Sequence, residues 1–241
     1  MYELTTRPFK TFDGKAILFT YRQDTSDYNT VPAIVEVDEY GFRNFGLKDG
    51  DVVLDLGAHI GAATCFLNYL NPNLRIYAYE PLPENYALLK INMIQNRIVN
   101  GHIFRKAVMP MDNIKARIHY TTDKTENGKH HRFIGRPMKL AEAEWDETAF
   151  VTVEAITLEH ILTENNLDKV KVVKMDIEGV EADVLLSTPP HILQKIEYIT
   201  GEYHSMTRDE IYNPVKDYFD RVPTPYADAS SIGHFLFRRK Q

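Results

Sequence analysis

Acidic residues and glycines stand at the ends of apolar, strand-like stretches of this sequence. The stretch VVLDLGAHIG carries Asp55, Gly57 and Gly61, and Glu80 ends LRIYAYE, 25 positions after Asp55. Glycines let a backbone turn tightly and approach a ligand closely. A helix that begins near Gly61 also offers free N–H groups to polar ligand atoms. This first turn is therefore predicted to hold a nucleotide-like ligand.

The first turn lacks the two common patterns that bind phosphate groups. His59 stands where a dinucleotide-binding G-x-G-x-x-G turn has its second glycine, and no lysine followed by serine or threonine completes a Walker loop. Asp55 would repel a pyrophosphate, whereas it suits a cationic group such as an ammonium beside a sulfonium. Glu80 suits the ribose hydroxyls of either cofactor. The combination favours S-adenosylmethionine over a dinucleotide, and a turn without any ligand is the simpler alternative.

A second group of acidic residues, with one histidine, follows two later strand-like stretches. KMDIEGVE places Asp176, Glu178 and Glu181 close together, and GEYHS supplies Glu202 and His204, which alternate onto one face of their strand. If S-adenosylmethionine, which the first turn favours, gave its methyl group to an alcohol, the reaction would need an oriented acceptor and a base that takes the hydroxyl proton. We expect His204 or Asp176 to be this base, and Glu178 and Glu202 to position the acceptor.

These acidic residues also suit simpler roles. Carboxylates are favoured at the start of a helix, and Glu178 suits a loop brace. Carboxylates and His204 would also suit Mg²⁺. The sequence has no histidine or cysteine spacing typical of zinc, and the adjacent His130 and His131 are poorly placed to chelate together. No required metal is predicted.

Strand-like and helix-like patterns alternate through most of the chain. Strands are predicted at 51–56, 74–80, 102–108, 169–176, 196–203 and 233–239, and helices at 61–70, 83–96, 157–166, 179–187 and 207–219. Such alternation predicts an α/β fold with parallel strands and right-handed crossovers. A short polar loop between a strand near 221–224 and the last strand predicts an antiparallel pair at the edge of the sheet.

Two regions fall outside this alternation. Residues 1–45 are predicted to form an N-terminal extension that covers the acceptor site. Within it, a strand is predicted at Lys15–Arg22 and a surface loop at 24–30. Residues 46–241 are predicted to form one domain with an inserted loop or hairpin at about 110–150, which contains the strand-like KARIHY. Long loops are often functional, so both regions are expected to shape the acceptor pocket.

Net charge, cysteine count and the length of apolar runs limit the classes of protein to which this chain could belong. The net charge of −6 argues against a general nucleic-acid binder. The basic stretch KHHRFIGR at 129–136 would suit a phosphate or an acidic sugar, and a solvated loop is the simpler alternative for it. The single cysteine, Cys65, is predicted to lie in the core and excludes a disulfide within the chain. The sequence has no signal-like start and no apolar run of membrane-spanning length, so a cytoplasmic location is predicted.

Three stretches carry a family resemblance. VVLDLGAHIG, YAYEPLPENYALLKINM and VVKMDIEGVEADVL together resemble the FkbM-type family of S-adenosylmethionine-dependent methyltransferases, and the third is the most specific through its K-x-D-[IV]-E-G-x-E motif. The resemblance covers about 51–203 and the ending GHFLFRR. It implies a Rossmann-like class I methyltransferase fold, whose seven-stranded, mostly parallel sheet has an antiparallel last strand and helices on both faces. It also implies O-methylation of a hydroxyl on a sugar, a glycan or another small metabolite.

The resemblance also implies a cofactor site at the ends of four strands. Its members are Asp55, Gly57, Ala58, His59 and Gly61 in the first turn, Glu80, Pro81 and Leu82 after the second strand, Ala107 and Val108 at the third, and Asp176 at the fourth. The first turn would line the methionine part of the cofactor, Glu80 would hold the ribose, and Pro81 and Leu82 would flank the adenine. One departure is AVMPMDN, which replaces the short G/S-D turn common in the family.

Other functions remain as alternatives. An N-methyltransferase or a nucleic-acid methyltransferase is disfavoured by the acidic charge and by the lack of an Asn-Pro-Pro-Tyr motif at the fourth strand. A non-catalytic S-adenosylmethionine-binding module is disfavoured because Asp55, Glu80 and Asp176 are all present. The expected partner is a small-molecule or glycan hydroxyl acceptor. Nucleic acid and a membrane span are not expected, and a homo-oligomer is left open.

Overall fold

The computed structural model describes residues 3–119, 133–134, 150–224 and 232–241. Its strands, in chain order, are β1 (Leu4–Lys10), β2 (Ala16–Arg22), β3 (Val52–Leu56), β4 (Arg75–Tyr79), β5 (Gly101–Phe104), β6 (Ala107–Val108), β7 (Lys115–His119), β8 (Phe133–Ile134), β9 (Phe150–Ile156), β10 (Val170–Met175), β11 (Ile196–His204), β12 (Phe219–Arg221) and β13 (Ile232–Arg239). Its α-helices are α1 (Asp27–Pro32), α2 (Ala62–Leu70), α3 (Pro83–Gln95), α4 (Leu158–Glu164), α5 (Glu181–Ser187), α6 (Pro190–Leu193) and α7 (Arg208–Tyr212). A π-helix at Ala33–Val37 and a short 3-10 helix at Phe42–Asn44 complete the N-terminal segment.

Seven strands form the central sheet in the order β12-β13-β11-β10-β3-β4-β5. The five strands from β11 to β5 pair in parallel, whereas β13 is antiparallel to both β11 and β12. These pairings confirm the predicted α/β fold with a mostly parallel sheet and an antiparallel last strand. The chain order reverses between β3 and β10, and open parallel sheets bind ligands at such a point, outside the carboxyl ends of the strands.

The two faces of the sheet are covered by different parts of the chain. On one face, Leu54 and Val173 pack with buried residues of α4 and α5. On the other face, Val53 and Val172 pack with α2 and with the N-terminal segment. Successive residues of each strand therefore pack into cores on opposite faces of the sheet. This packing fixes the register of the strands and so the positions of their ends relative to one another.

The N-terminal segment is part of one core. Its β1–β2 hairpin, α1 and π-helix pack on that face, where Phe19 is fully buried. The prediction of a surface loop at 24–30 is wrong, because Asp27 begins α1 and is also fully buried. The Asp27 carboxylate lies 2.9 Å from the guanidinium of Arg22. This pairing allows a polar stretch to be buried.

The predicted strand at 102–108 is two strands in two sheets. β5 ends at Phe104, whose carbonyl accepts the backbone N–H of Glu80. After a two-residue break, β6 leaves the central sheet and pairs in parallel with β9. Ala107 and Val108 therefore belong to a second sheet, although the sequence placed them at the end of the third central strand.

Part of the predicted insertion at 110–150 is described. The described part of KARIHY, Lys115–His119, forms β7, as predicted, and β7 is antiparallel to β9. Most of the basic stretch 129–136, with His130 and His131, lies outside the described residues. Cys65 is buried in α2, as predicted. Within the described ranges, no helix combines the length and the apolar character that a membrane crossing requires.

Candidate active site

A cavity of about 470 Å³ opens where β3, β4, β10 and β11 end. Small-molecule sites have volumes of roughly 300–1,000 Å³, so its size suits a cofactor-sized ligand. We call one part the Glu80 end, formed by Glu80 with Tyr79, Pro81, Leu82 and Val108. We call the other part the His204 end, formed by Asp176, Glu178, Glu202 and His204. The structure thus brings all four predicted catalytic residues together on one cavity wall.

Backbone groups fix the carboxylate at the Glu80 end. Glu80 accepts the backbone N–H of His59 at 2.8 Å and that of Leu82 at 2.9 Å, and the side-chain amide of Asn85 lies at 3.3 Å. Burial raises the pKa of Glu80, although these N–H groups and His59 act in the opposite direction. The first turn and the end of β4 therefore hold this carboxylate in one orientation at the cavity wall.

Asp55 lies behind the cavity wall and is fully buried. Thr64 donates its hydroxyl to one carboxylate oxygen at 2.6 Å, and the ammonium of Lys174 lies 3.2 Å from the other. Lys174 also donates to the carbonyl of Gly57 at 2.6 Å. Burial alone would lower the pKa of Lys174, but Asp55 and Asp176 raise it. Asp55 therefore contacts a lysine that ties β10 to the first turn, whereas the sequence predicted that it lines the cofactor.

Close packing explains both glycines of the first turn. A Cβ atom at Gly57 would lie 1.8 Å from the carbonyl oxygen of Asp176, and one at Gly61 would lie 2.7 Å from the side chain of Leu89. Both glycines also have positive φ angles, which side chains disfavour. Gly57 and Ala58 line the cavity, whereas Gly61 and Ala107 do not. Gly57 therefore allows the ends of β3 and β10 to approach closely, and Gly61 allows the first turn to pack on α3.

The N-terminal segment reaches both ends of the cavity. Its lining residues are Ser26, Asn29, Thr30, Ala33, Ile34, Glu39 and Tyr40. At the first turn, the ring of His59 lies 3.3 Å from the buried carboxylate of Asp27 and 3.2 Å from the guanidinium of Arg22. His59 itself has φ 51°, a strained value for this residue type. The segment therefore contacts the first turn and also lines the cavity.

His204 is surrounded by carboxylates. Its Nδ1 lies 3.2 Å from Glu181, and its Nε2 lies 3.7 Å from Glu178, 3.7 Å from Glu202 and 3.9 Å from Asp176. Burial alone would lower the pKa of His204. The hydrogen bond with Glu181 and the charges of Asp176 and Glu178 outweigh it and raise the pKa to about 10.

The carboxylates of the His204 end have different pKa values. Burial would raise the pKa of Asp176, but Lys174 and His204 lower it below its usual value. Tyr40 adds a hydrogen bond to Asp176 at 2.9 Å. Burial and neighbouring carboxylates raise the pKa of Glu178 to about 8. Burial and Asp176 also raise the pKa of Glu202. At neutral pH this end therefore combines the Asp176 carboxylate with a protonated imidazole.

One group of side chains in the described residues has metal-ligand chemistry. Single ligand atoms of Asp176, Glu181 and His204 lie within 4.8 Å of one another. The oxygens of Glu181 already accept the backbone N–H groups of Ile177 and Gly179 at 3.0–3.1 Å. The sequence-based expectation that no metal is required stays a prediction.

Sequence reasoning missed two residues at the His204 end. Tyr40 lies in a segment with no recognisable motif, so only the folded structure shows its contact with Asp176. Glu181 stands in KMDIEGVE and was grouped with its acidic neighbours, but no role was assigned to it. Its contact with His204 depends on the pairing of β10 with β11.

One family model matches most of this chain, and two named relatives match it at low identity. Residues 55–224 match the family model described as the methyltransferase FkbM domain. The 31-O-demethyl-FK506 methyltransferase FkbM of Streptomyces tacrolimicus is 24% identical over 178 residues, which cover 66% of this chain and 68% of that protein. The 2-O-methyltransferase NoeI of Sinorhizobium fredii is 22% identical over 183 residues, 73% of each chain. An rRNA methylase structure from Streptococcus thermophilus has a TM-score of 0.50 at 12% identity and covers 84% of this chain and 94% of its own, a likeness of fold alone.

Proposed function

Because this chain belongs to the family of FkbM-domain methyltransferases, we propose that it moves a methyl group from S-adenosylmethionine to a hydroxyl oxygen of a sugar, a glycan or another small metabolite. Two relatives with O-methyltransferase names support the choice of oxygen as the methyl acceptor. The observation that carries the proposal is a single cavity with a fixed carboxylate at one end and a histidine among carboxylates at the other.

The residues of the cavity fit S-adenosylmethionine. Pro81, Leu82 and Val108 offer an apolar surface to the adenine, and the fixed carboxylate of Glu80 can accept the ribose hydroxyls. Carboxylates at the His204 end suit a positively charged ligand. When bound, this cofactor supplies a methyl group attached to a positively charged sulfur atom.

We assign the role of general base to His204 rather than Asp176. The pKa of Asp176 is lowered and one of its oxygens is held by Tyr40, so Asp176 is a weak base for a hydroxyl proton. His204 has a raised pKa and is therefore a stronger base whenever its ring is neutral. Glu178 and Glu202 each lie 3.7 Å from Nε2, the nitrogen that would take the proton, which supports a role for them in orienting the hydroxyl.

Calorimetric titration with S-adenosylmethionine and with NAD tests the cofactor. We expect micromolar binding of S-adenosylmethionine and none of NAD. Glu80→Ala should weaken this binding about 100-fold, because it removes hydrogen bonds to a charged group. Glu84→Ala, an exposed glutamate in the first turn of α3, is the matched control and should bind like the unaltered protein. Absence of S-adenosylmethionine binding to the unaltered protein would overturn the proposal.

The acceptor is tested with a panel of neutral glycosides and small alcohols. Isotope-labelled methyl groups in the products should be found on oxygen by NMR. Amines and short nucleic acids belong in the same panel as competing acceptors. A label found only on nitrogen or on nucleic acid would contradict the assignment of a hydroxyl acceptor.

A further inference from the structure

Glu181 joins the two elements that carry the His204 end. It is the first residue of α5 and is fully buried. Its carboxylate accepts the backbone N–H of Ile177 at 3.0 Å and that of Gly179 at 3.0–3.1 Å, and lies 3.2 Å from Nδ1 of His204. Glu181 does not line the cavity. It acts from behind the wall, where the loop after β10 meets the end of β11.

These contacts define which ring nitrogen of His204 carries a hydrogen. Both oxygens of Glu181 accept backbone N–H bonds, as those of an ionised carboxylate do. An ionised carboxylate has no hydrogen to donate, so we assign Nδ1 of His204 as the donor in their shared contact. In a neutral imidazole only one nitrogen is protonated. With the hydrogen on Nδ1, Nε2 is the nitrogen that can accept a proton, and Nε2 is the atom close to Glu178, Glu202 and Asp176.

We propose that Glu181 is a positioning residue for methyl transfer, which fixes the Nδ1–H form of His204 and so directs Nε2 to the acceptor hydroxyl. The inference rests on the proposed function. As the acceptor oxygen bonds to the methyl carbon, the carbon–sulfur bond breaks and leaves its electron pair on sulfur. The hydroxyl proton passes to Nε2. Glu181 exchanges no atoms, and its negative charge stabilises the imidazolium that results.

A bracing role for Glu181 in the loop after β10 is the competing explanation. It accounts for the hydrogen bonds to Ile177 and Gly179 but does not require that the ring of His204 respond to Glu181. The chain offers a matched control, Glu159, which also lies in the first turn of a helix and pairs with a histidine, His191, at 3.5 Å. Both partners of that pair are exposed.

NMR of the ring nitrogens of His204 separates the two explanations. In the unaltered protein, the neutral ring should carry its hydrogen on Nδ1 and the ring should titrate above the ordinary pKa. Glu181→Gln should lower the pKa of His204 by at least about one unit and populate the Nε2–H form, because a charged partner is lost. At a pH where the ring is neutral in both proteins, kcat of the variant should be about 100-fold lower, while its affinity for S-adenosylmethionine stays within about threefold. Glu181→Asp should recover part of kcat, and Glu159→Gln should change none of these values.

The outcomes separate this inference from the proposed function. A folded Glu181→Gln variant with an unchanged ring form, pKa and pH profile would leave only the bracing role and overturn the inference. If that variant does not fold, a neutral ring with its hydrogen on Nε2 in the unaltered protein would overturn it equally. Neither NMR measurement requires that the protein transfer a methyl group. Failure of the unaltered protein to bind S-adenosylmethionine would instead count against the proposed function.

Discussion

The two ends of the cavity are built in different ways. Glu80 is held by backbone N–H groups of His59 and Leu82, which offer a fixed hydrogen-bonding geometry. His204 is held by side chains whose charges depend on one another, with four carboxylates within 4 Å. A fixed backbone cradle suits binding in one orientation, whereas a cluster of interacting titratable groups suits a change of protonation. Binding and proton transfer are thus assigned to separate ends.

The largest effect should come from removing the ring that takes the proton. His204→Asn should lower kcat by about 10²–10⁴-fold, the usual contribution of a general base. The affinity for S-adenosylmethionine should stay within about threefold, because the Glu80 end is untouched. Steady-state kinetics and calorimetry on this variant and on Glu80→Ala measure the contrast. If His204→Asn weakens binding as much as Glu80→Ala does, the two ends do not have separate roles.

The pH dependence of the reaction should follow the titration of the His204 ring. A base must be neutral to accept a proton, and the pKa of His204 is raised to about 10. Below that pKa the neutral fraction grows tenfold for each pH unit, so kcat/KM should rise with pH from neutrality upward, with a slope near one. His204→Asn should remove the slope. A flat profile above about pH 5 would favour Asp176, whose lowered pKa keeps it ionised there.

Local sequence patterns were sufficient to predict the cavity residues that lie at the ends of strands. β3, β4, β10 and β11 are short apolar runs, and each ends next to a residue of the cavity wall, so Glu80, Asp176 and His204 could be assigned from alternation and from the family resemblance. Asp55 follows the same pattern but faces inward. Its partner Lys174 lies on a neighbouring strand, and the pairing of β3 with β10 cannot be inferred from either stretch alone.

The N-terminal segment shows why other parts of the site could not be predicted. Thr25, Ser26 and Asp27 resemble a surface loop because their composition is polar, yet all three are buried. Their burial depends on partners that are distant in sequence, such as His59 for Asp27. A polar residue is buried at low cost only when such a partner exists, and composition does not record partners.

Tyr40 tests whether the N-terminal segment affects the His204 end. Tyr40→Phe keeps the ring but removes the hydrogen bond to Asp176. A hydrogen bond to a charged group contributes about 1.5–3 kcal/mol, so kcat should fall roughly tenfold. Binding of S-adenosylmethionine should change much less. Tyr28→Phe alters an exposed tyrosine of the same segment and is the control. Equal kinetics for Tyr40→Phe and the unaltered protein would limit the segment to a covering role.

The last prediction concerns the stability of the His204 end and not its activity. The pKa of Glu178 is raised from 4.5 to about 8, so ionisation is easier in the unfolded chain and stability falls as pH rises between these values. Glu178→Gln imitates the neutral form and keeps the same left-handed backbone (φ 63°), so strain is unchanged. Urea unfolding should show a gain of up to about 4–5 kcal/mol at pH 8.5 and almost none at pH 4.5.

An exposed glutamate provides the control for this stability measurement. Glu36→Gln should alter the free energy of unfolding equally at both pH values. A gain for Glu178→Gln that does not depend on pH would mean that packing, not charge, explains it, and that the carboxylates around His204 do not interact as strongly as their spacing requires. A gain that grows with pH would mean that ionisation of Glu178 destabilises the folded protein. Burial also raises the pKa of Glu80, so the Glu80 end should lose stability in the same direction as pH rises, and the contribution of Glu178 is isolated only by comparing Glu178→Gln with Glu36→Gln.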